Sequence, residues 1–149
     1  QLAAAGVPVV INALDNLPGS FDGLGARLDN AALLNEAGVT VLFTSGETQN
    51  ARKLRQVAGN AVANGFPYLA AIEAMTSLPA EIFGGSPKMI APGLTADLVI
   101  WSGDPLDVTS AADHVILAGK PDSMKSRQTQ LLKRYLPEDA GLGRAYIAP

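Results

Sequence analysis

Apolar positions fall first in short unbroken runs rather than in alternation. Val7, Val9, Val10 and Ile11 form a β-branched run between Gly6 and Asn12. A continuous run of this kind suits a buried strand of a parallel sheet. Residues 39–43 (Val-Thr-Val-Leu-Phe) repeat the texture and give way to Thr44, Ser45 and Gly46. Between the runs, residues 14–25 hold Asn, Asp, Pro and three Gly, which predicts a long loop. Residues 26–37 then predict a helix with Leu28, Ala31, Ala32 and Asn35 near one face, ended by Gly38. A second helix is expected over 47–64, closed by Gly65, and a third from Pro67 to Met75, because a first-turn proline is tolerated. Residues 76–79 break that helix, and a short one restarts before Gly84 and Gly85. Strand, helix, strand, helix, helix implies a parallel pair joined by right-handed crossovers.

Beyond Gly85 the pattern changes. Residues 86–95 read as a loop with Pro87, Pro92 and Gly93, and residues 97–101 as a strand. Ser102-Gly103-Asp104-Pro105 is turn chemistry. A further strand, 114–118, stops at Gly119. Two strands without an intervening helix predict an antiparallel or separate small sheet. From Pro121 the chain is polar, with one amphipathic helix over 126–135 and a Gly/Pro-ended tail. Three segments result: 1–85, 86–121 and 122–149.

Composition narrows the field. A length of 149 residues suits one domain, or one with a small appendage. Eleven Lys+Arg against fourteen Asp+Glu give a net charge of −3, with no run of one sign. This argues against nucleic acid as a partner. Charged residues make up 17% and hydrophobic residues 48%, so a sizeable core can form. The absence of Cys excludes disulfides, thiolate catalysis and zinc–thiolate sites. No apolar run reaches the ~18 residues of a membrane span, so no membrane partner is expected. The chain starts at Gln1 and reads as a processed or excerpted piece.

Polar residues gather where the parallel strands end. The first run leads into Asn12, Asp15 and Asn16; the second into Thr44, Ser45, Gly46, Glu47 and Thr48. Ligands sit beyond the carboxyl ends of parallel strands, and amides opening the next helix can hold an anion. The plainer account is that Ser45 and Thr48 cap that helix. Asn50, Arg52, Arg55 and Asn60 suit a solvated helix face, and His114 suits a structural role in an apolar strand. Asp104 and Asp107 flank a proline turn and suit Asx-type turn bonding. With one His, lying far from the strand-end loops in sequence, no Ser/His/Asp set is available.

Residues 92–101 (Pro-Gly-Leu-Thr-Ala-Asp-Leu-Val-Ile-Trp) resemble the PG-x-x-ADLV signature of the amidohydrolase superfamily, and residues 102–106 and 114–119 continue the likeness. Residues 70–84 (AAIEAMTSLPAEIFG) are similar to that family's ALRAATSNPAELLG helix pair. Residues 37–43 are similar to its eighth barrel strand. Order and spacing agree over about residues 1–120, with the imidazolonepropionase-like branch the nearest in pattern. The resemblance implies an α/β fold: the last two β/α units of a (β/α)8 TIM barrel, followed by return strands of a small composite β-sandwich. It also implies a parent enzyme that hydrolyses C–N bonds of small amides or cyclic amides with water activated by a divalent, zinc-type metal.

The family binds that metal with a His-x-His pair, a Lys or Glu, two further His and a strand-eight Asp. Here His-x-His is absent, and where the family reads Gly-Thr-Asp the chain reads Thr44-Ser45-Gly46. The acid position falls on Gly46, leaving Glu47 as the nearest carboxylate and the candidate catalytic residue. Asn12, Asp15 and Ser45 are the candidate substrate-binding residues; no metal ligand and no cofactor are assigned to this chain. A whole barrel needs roughly 250 residues, so a carboxyl-terminal piece, inactive alone, is expected. The alternative is a metal-free binding or assembly module derived from the barrel. Two uncovered strand edges in so apolar a chain predict homo-oligomers.

Overall fold

The computed structural model describes residues 1–86 and 89–135. Strands β1 (Val9–Ile11) and β2 (Val41–Phe43) form a parallel two-stranded sheet in which Val9 faces Val41 and Ile11 faces Phe43. Helices α1 (Asn30–Glu36), α2 (Leu54–Ala63), α3 (Tyr68–Met75) and α4 (Ser77–Ile82) complete the first part. Strands β3 (Leu98–Trp101), β4 (Ala112–Leu117) and β5 (Lys120–Pro121) form a separate antiparallel sheet in that order. Helix α5 (Arg127–Tyr135) follows. The parallel pair and the small antiparallel sheet agree with the pattern read from sequence. The part of the expected tail beyond Tyr135 lies outside the described residues.

The core sits where β2 meets α2 and α3. Val41 and Phe43 pack with Val57, Ala58 and Ala61 of α2 and with Ala71 and Ala74 of α3. Alanine on the facing stripes lets the helices lie close to the sheet and to each other. Phe43 and Phe66 meet edge to face, with centroids 5.4 Å apart.

Glycines steer the chain into this core. At the end of α1, Gly38 (φ +77) donates to Asn35 O and Val39 to Leu34 O; at the end of α2, Gly65 (φ +95) donates to Val62 O and Phe66 to Ala61 O. Both pairs are Schellman caps, which need a left-handed residue. Each delivers the next apolar residue, Val39 or Phe66, to a buried position.

Several boundaries differ from the expectation. The first helix begins at Asn30, not at residue 26, because Asp29 is its cap and Arg27 is turned back onto the Asp29 carboxylate at 2.6 and 2.8 Å. The second opens as a 3-10 turn over Thr48–Lys53 and becomes α-helical at Leu54. Its cap residue, Glu47, makes no side-chain capping bond, which leaves the first turn's amides without the usual acceptor. β4 begins at Ala112, two residues before the expected start, and stops before Gly119 as expected, but a further strand follows Gly119. Ala118 (φ 49) and Gly119 (φ 77) make a two-residue turn of the primed type, and β5 pairs back through Leu117 and Lys120.

Residues 102–110 tie the small sheet to α2 and α3. The expected Asx turns are present: Asp104 Oδ1 accepts from the Leu106 amide, and Asp107 Oδ1 from the Thr109 amide and hydroxyl, each at 2.8 Å. They push Leu106 into the main core. Tyr68 donates its hydroxyl to Asp104, which holds the phenol above its ordinary pKa. The Arg55 guanidinium donates to the Asp107 carbonyl at 2.7 Å and the Pro105 carbonyl at 3.3 Å, and lies 5.1 Å from the Trp101 ring centroid. A solvated helix face is therefore the wrong description of Arg55. Its partners are backbone carbonyls some fifty residues away, which spacing along α2 cannot show.

The Thr109 bonds, chiefly that from the backbone amide, hold the Asp107 carboxyl below its ordinary value of 3.8. A depressed folded-state pKa stabilises above the unfolded value and loses that contribution as pH falls through the folded one. Acidification from pH 5 through 3.8 and below should thus loosen residues 104–110 first. Faster Thr109 amide exchange at low pH in wild type, absent in Asp107→Asn, is the expected result.

Candidate functional site at the carboxyl ends of the parallel strands

β1 ends at Asn12, whose Oδ1 accepts from the Leu14 amide and whose Nδ2 donates to Asp15 Oδ2 at 2.6 Å. This closes a 3-10 turn over Ala13–Asp15, anchored by the buried Ala13. β2 ends in the same direction. The Thr44 amide still donates to Ile11 O, and the Thr44 hydroxyl accepts from the Gly46 amide at 3.1 Å. Gly46 takes φ +78 and turns the chain back across the end of β1; a Cβ built there would lie 3.9 Å from Asn12 Nδ2. Ser45 stands in this strand-to-helix turn and donates its hydroxyl to the Glu47 carbonyl. Glu47 Oε2 accepts from Gln49 Nε2 at 2.6 Å and Asn50 Nδ2 at 3.0 Å.

Between these turns lies an open cleft of about 420 Å³, lined by Asn12, Asp15, Ser45, Glu47, Asn50 and Lys53 and floored by Val57. The four residues singled out from sequence thus meet at one place. Asn50 and Lys53 join them; their spacing of three puts both on one side of the 3-10 turn, a signal that the solvated-face reading passed over.

Two further expectations are corrected. Neither Ser45 nor Thr48 caps the helix, since the cap position is Glu47. An anion-binding amide cluster is also weakened, because the Gly46 amide is already spent on Thr44. His114 is exposed on β4 opposite Ile100, in the small sheet.

The lining can hydrogen-bond a small polar ligand, with two carboxylates and amide oxygens to accept and amide and ammonium groups to donate. It does not fit a catalytic metal. Among the described residues no three His, Cys, Asp or Glu side chains gather as a ligand set. One oxygen of each cleft carboxylate, Asp15 Oδ2 and Glu47 Oε2, accepts from an amide donor at 2.6 Å.

No family model matches the chain. A curated relative, the amidohydrolase tasK of Hapsidospora irregularis, is 32% identical over 90 residues, which are 58% of this chain and 9% of that protein. The crystal structure of an amidohydrolase from Thermotoga maritima MSB8 superposes with a TM-score of 0.70 at 27% identity, over 80% of this chain and 32% of that one. This chain therefore spans less than a third of the length of either relative. The sequence signature, the relative and the solved structure agree, and together they support an amidohydrolase superfamily segment.

Proposed function

We propose that this chain is the substrate-binding wall of a hydrolase whose whole barrel cleaves C–N bonds of small amides or cyclic amides. In that reading residues 1–85 are its last two β/α units, 86–121 its return strands and 122–149 a terminal extension. The observation that carries it is the cleft at the carboxyl ends of β1 and β2, with Asn12, Asp15, Ser45 and Glu47 on its rim. This is the end of a parallel β/α array where ligands bind. A divalent metal of the parent would supply activated water, but the residues here do not hold one, and no step is assigned to it. Asn12 and Ser45 orient an amide by hydrogen bonds, and Glu47, held by Gln49 and Asn50, presents its free oxygen as an acceptor.

Two measurements test this. Titration with a millimolar N-acyl amino acid or cyclic amide should shift NMR resonances of residues 12–15 and 45–53 only. Scattered shifts, or none, would refute the binding wall. The isolated chain should retain no stoichiometric zinc after dialysis and hydrolyse such compounds no faster than a metal-free blank, because one or two carboxylates cannot replace a full ligand set. Chelator-sensitive turnover that survives repurification would refute that. The missing donor set also favours a second reading, a metal-free binding module; it predicts the same shifts but no metal-dependent turnover in any longer form of the protein.

A further inference from the structure

The segment Thr48–Lys53 has an uncommon build. It is a 3-10 helix of six residues, whereas such runs seldom pass three or four because their hydrogen bonds are poorly aligned. It buries no residue of its own, and its cap, Glu47, makes no side-chain capping bond. Few contacts of its own therefore hold it in place. Nevertheless it carries Asn50 and Lys53 to the cleft, with Glu47 at its start. The 3-10 winding is what aligns them. Residues three apart eclipse in it, whereas in an α-helix they would stand about 60° apart around the axis.

The segment is fixed from outside, at both ends. Upstream, the Thr44 amide donates to Ile11 O, the Gly46 amide to the Thr44 hydroxyl and the Ser45 hydroxyl to the Glu47 carbonyl. Downstream, half-buried Arg55 stands in the first turn of α2. Its Nη1 donates to both Asp107 O and Pro105 O, at 2.7 and 3.3 Å. The loop that receives it is itself anchored, since Asp104 and Asp107 close its turns, Tyr68 holds Asp104, and Leu106 is set into the core. Wound as an α-helix, the six residues would cover about 9 Å instead of about 12 Å. The longer form bridges the span between the two anchors.

We propose that Arg55 is a positioning residue for the cleft. It lies outside the cleft lining and acts through the segment before it. By fastening the first turn of α2 to the 102–110 loop, it keeps residues 48–53 in the 3-10 form that aligns Asn50 and Lys53. Affinity at the strand ends is thus set in part by the loop that joins β3 to β4. This inference rests on the cleft being a ligand site, as proposed above. Val57, Ala58 and Ala61 hold the body of α2 on the core without help from Arg55, so truncating that side chain loosens the segment and spares the fold.

Two readouts on the full chain test it. The first needs no ligand. Wild type should show the NOE pattern of a 3-10 helix over residues 48–53, and Arg55→Met should lose it, with faster exchange of those amides and otherwise unchanged circular dichroism. The second is titration with N-acetylglycine, which Arg55→Met should bind about tenfold more weakly, the equivalent of about one hydrogen bond to a charged group. Arg55→Lys should recover most of that affinity, because both bonds leave one nitrogen and an ammonium offers three donors. Arg52→Met, which also removes a cation but none of these bonds, should match wild type in both readouts. An α-helical NOE pattern in wild type, or an Arg55→Met variant with unaltered segment or unaltered affinity, would overturn the proposal. If wild type bound no N-acetylglycine while Arg55→Met still lost the 3-10 pattern, the cleft reading would fall and leave Arg55 a purely structural role.

Discussion

Phe43→Ala is expected to cost about 3–5 kcal/mol. Phe43 is 7% exposed, ends β2 and meets Phe66 edge to face. Its removal would take away the transfer free energy of the ring and leave a cavity between β2, α2 and α3 that small alanines cannot fill. A domain of this size holds about 5–15 kcal/mol in all, so the variant would be near its folding threshold. Urea unfolding monitored by circular dichroism measures this directly. A loss below about 1 kcal/mol would mean that the Phe43–Phe66 contact is not at the centre of the core.

Gly59→Ala should also destabilise, by about 1–3 kcal/mol, although helix propensity alone predicts a gain of up to about 1 kcal/mol. Gly59 lies inside α2 with an ordinary helical backbone. A methyl group there would meet the Leu106 carbonyl at 2.7 Å, a backbone atom held by two Asx turns and by Arg55. Gly25→Ala is the control, since nothing lies within 4 Å of a Cβ at that site. If Gly59→Ala proved neutral or stabilising in the same denaturation experiment, residues 102–110 would not rest on α2 as described.

What could be read in advance was what local chemistry decides. The β-branched runs at Val9–Ile11 and Val41–Phe43 leave few alternatives to strands, but only the second is buried as expected: Val10 of β1 is 49% exposed, because no further element covers that strand among the described residues. Gly38 and Gly65 mark helix ends because only a left-handed residue closes those caps. Asp104 and Asp107 announced their turns for the same reason. The cleft was legible as a cluster of polar residues after two strands, for parallel pairing forces both ends to one side. What lay hidden depends on distance in sequence. Arg55 looks like any exposed helical arginine until the carbonyls of Pro105 and Asp107 arrive. Leu106 looks like an ordinary turn residue, and nothing nearby signals that it belongs to the core.

Leu106 carries one more implication. The sequence divides naturally near residue 85, where alternating strands and helices give way to a loop and a small sheet. The hydrophobic core does not divide there. A side chain from the second segment occupies the core of the first, Tyr68 and Arg55 reach across to the same loop, and a glycine on α2 is shaped to receive its backbone. The first segment severed from the second would carry a hole in the shape of a leucine, and the second severed from the first would expose that leucine to water. Recombination between relatives with a breakpoint near residue 85 must therefore preserve the pairing of Gly59 with the 102–110 loop, so that two stretches distant in the gene are inherited as one piece.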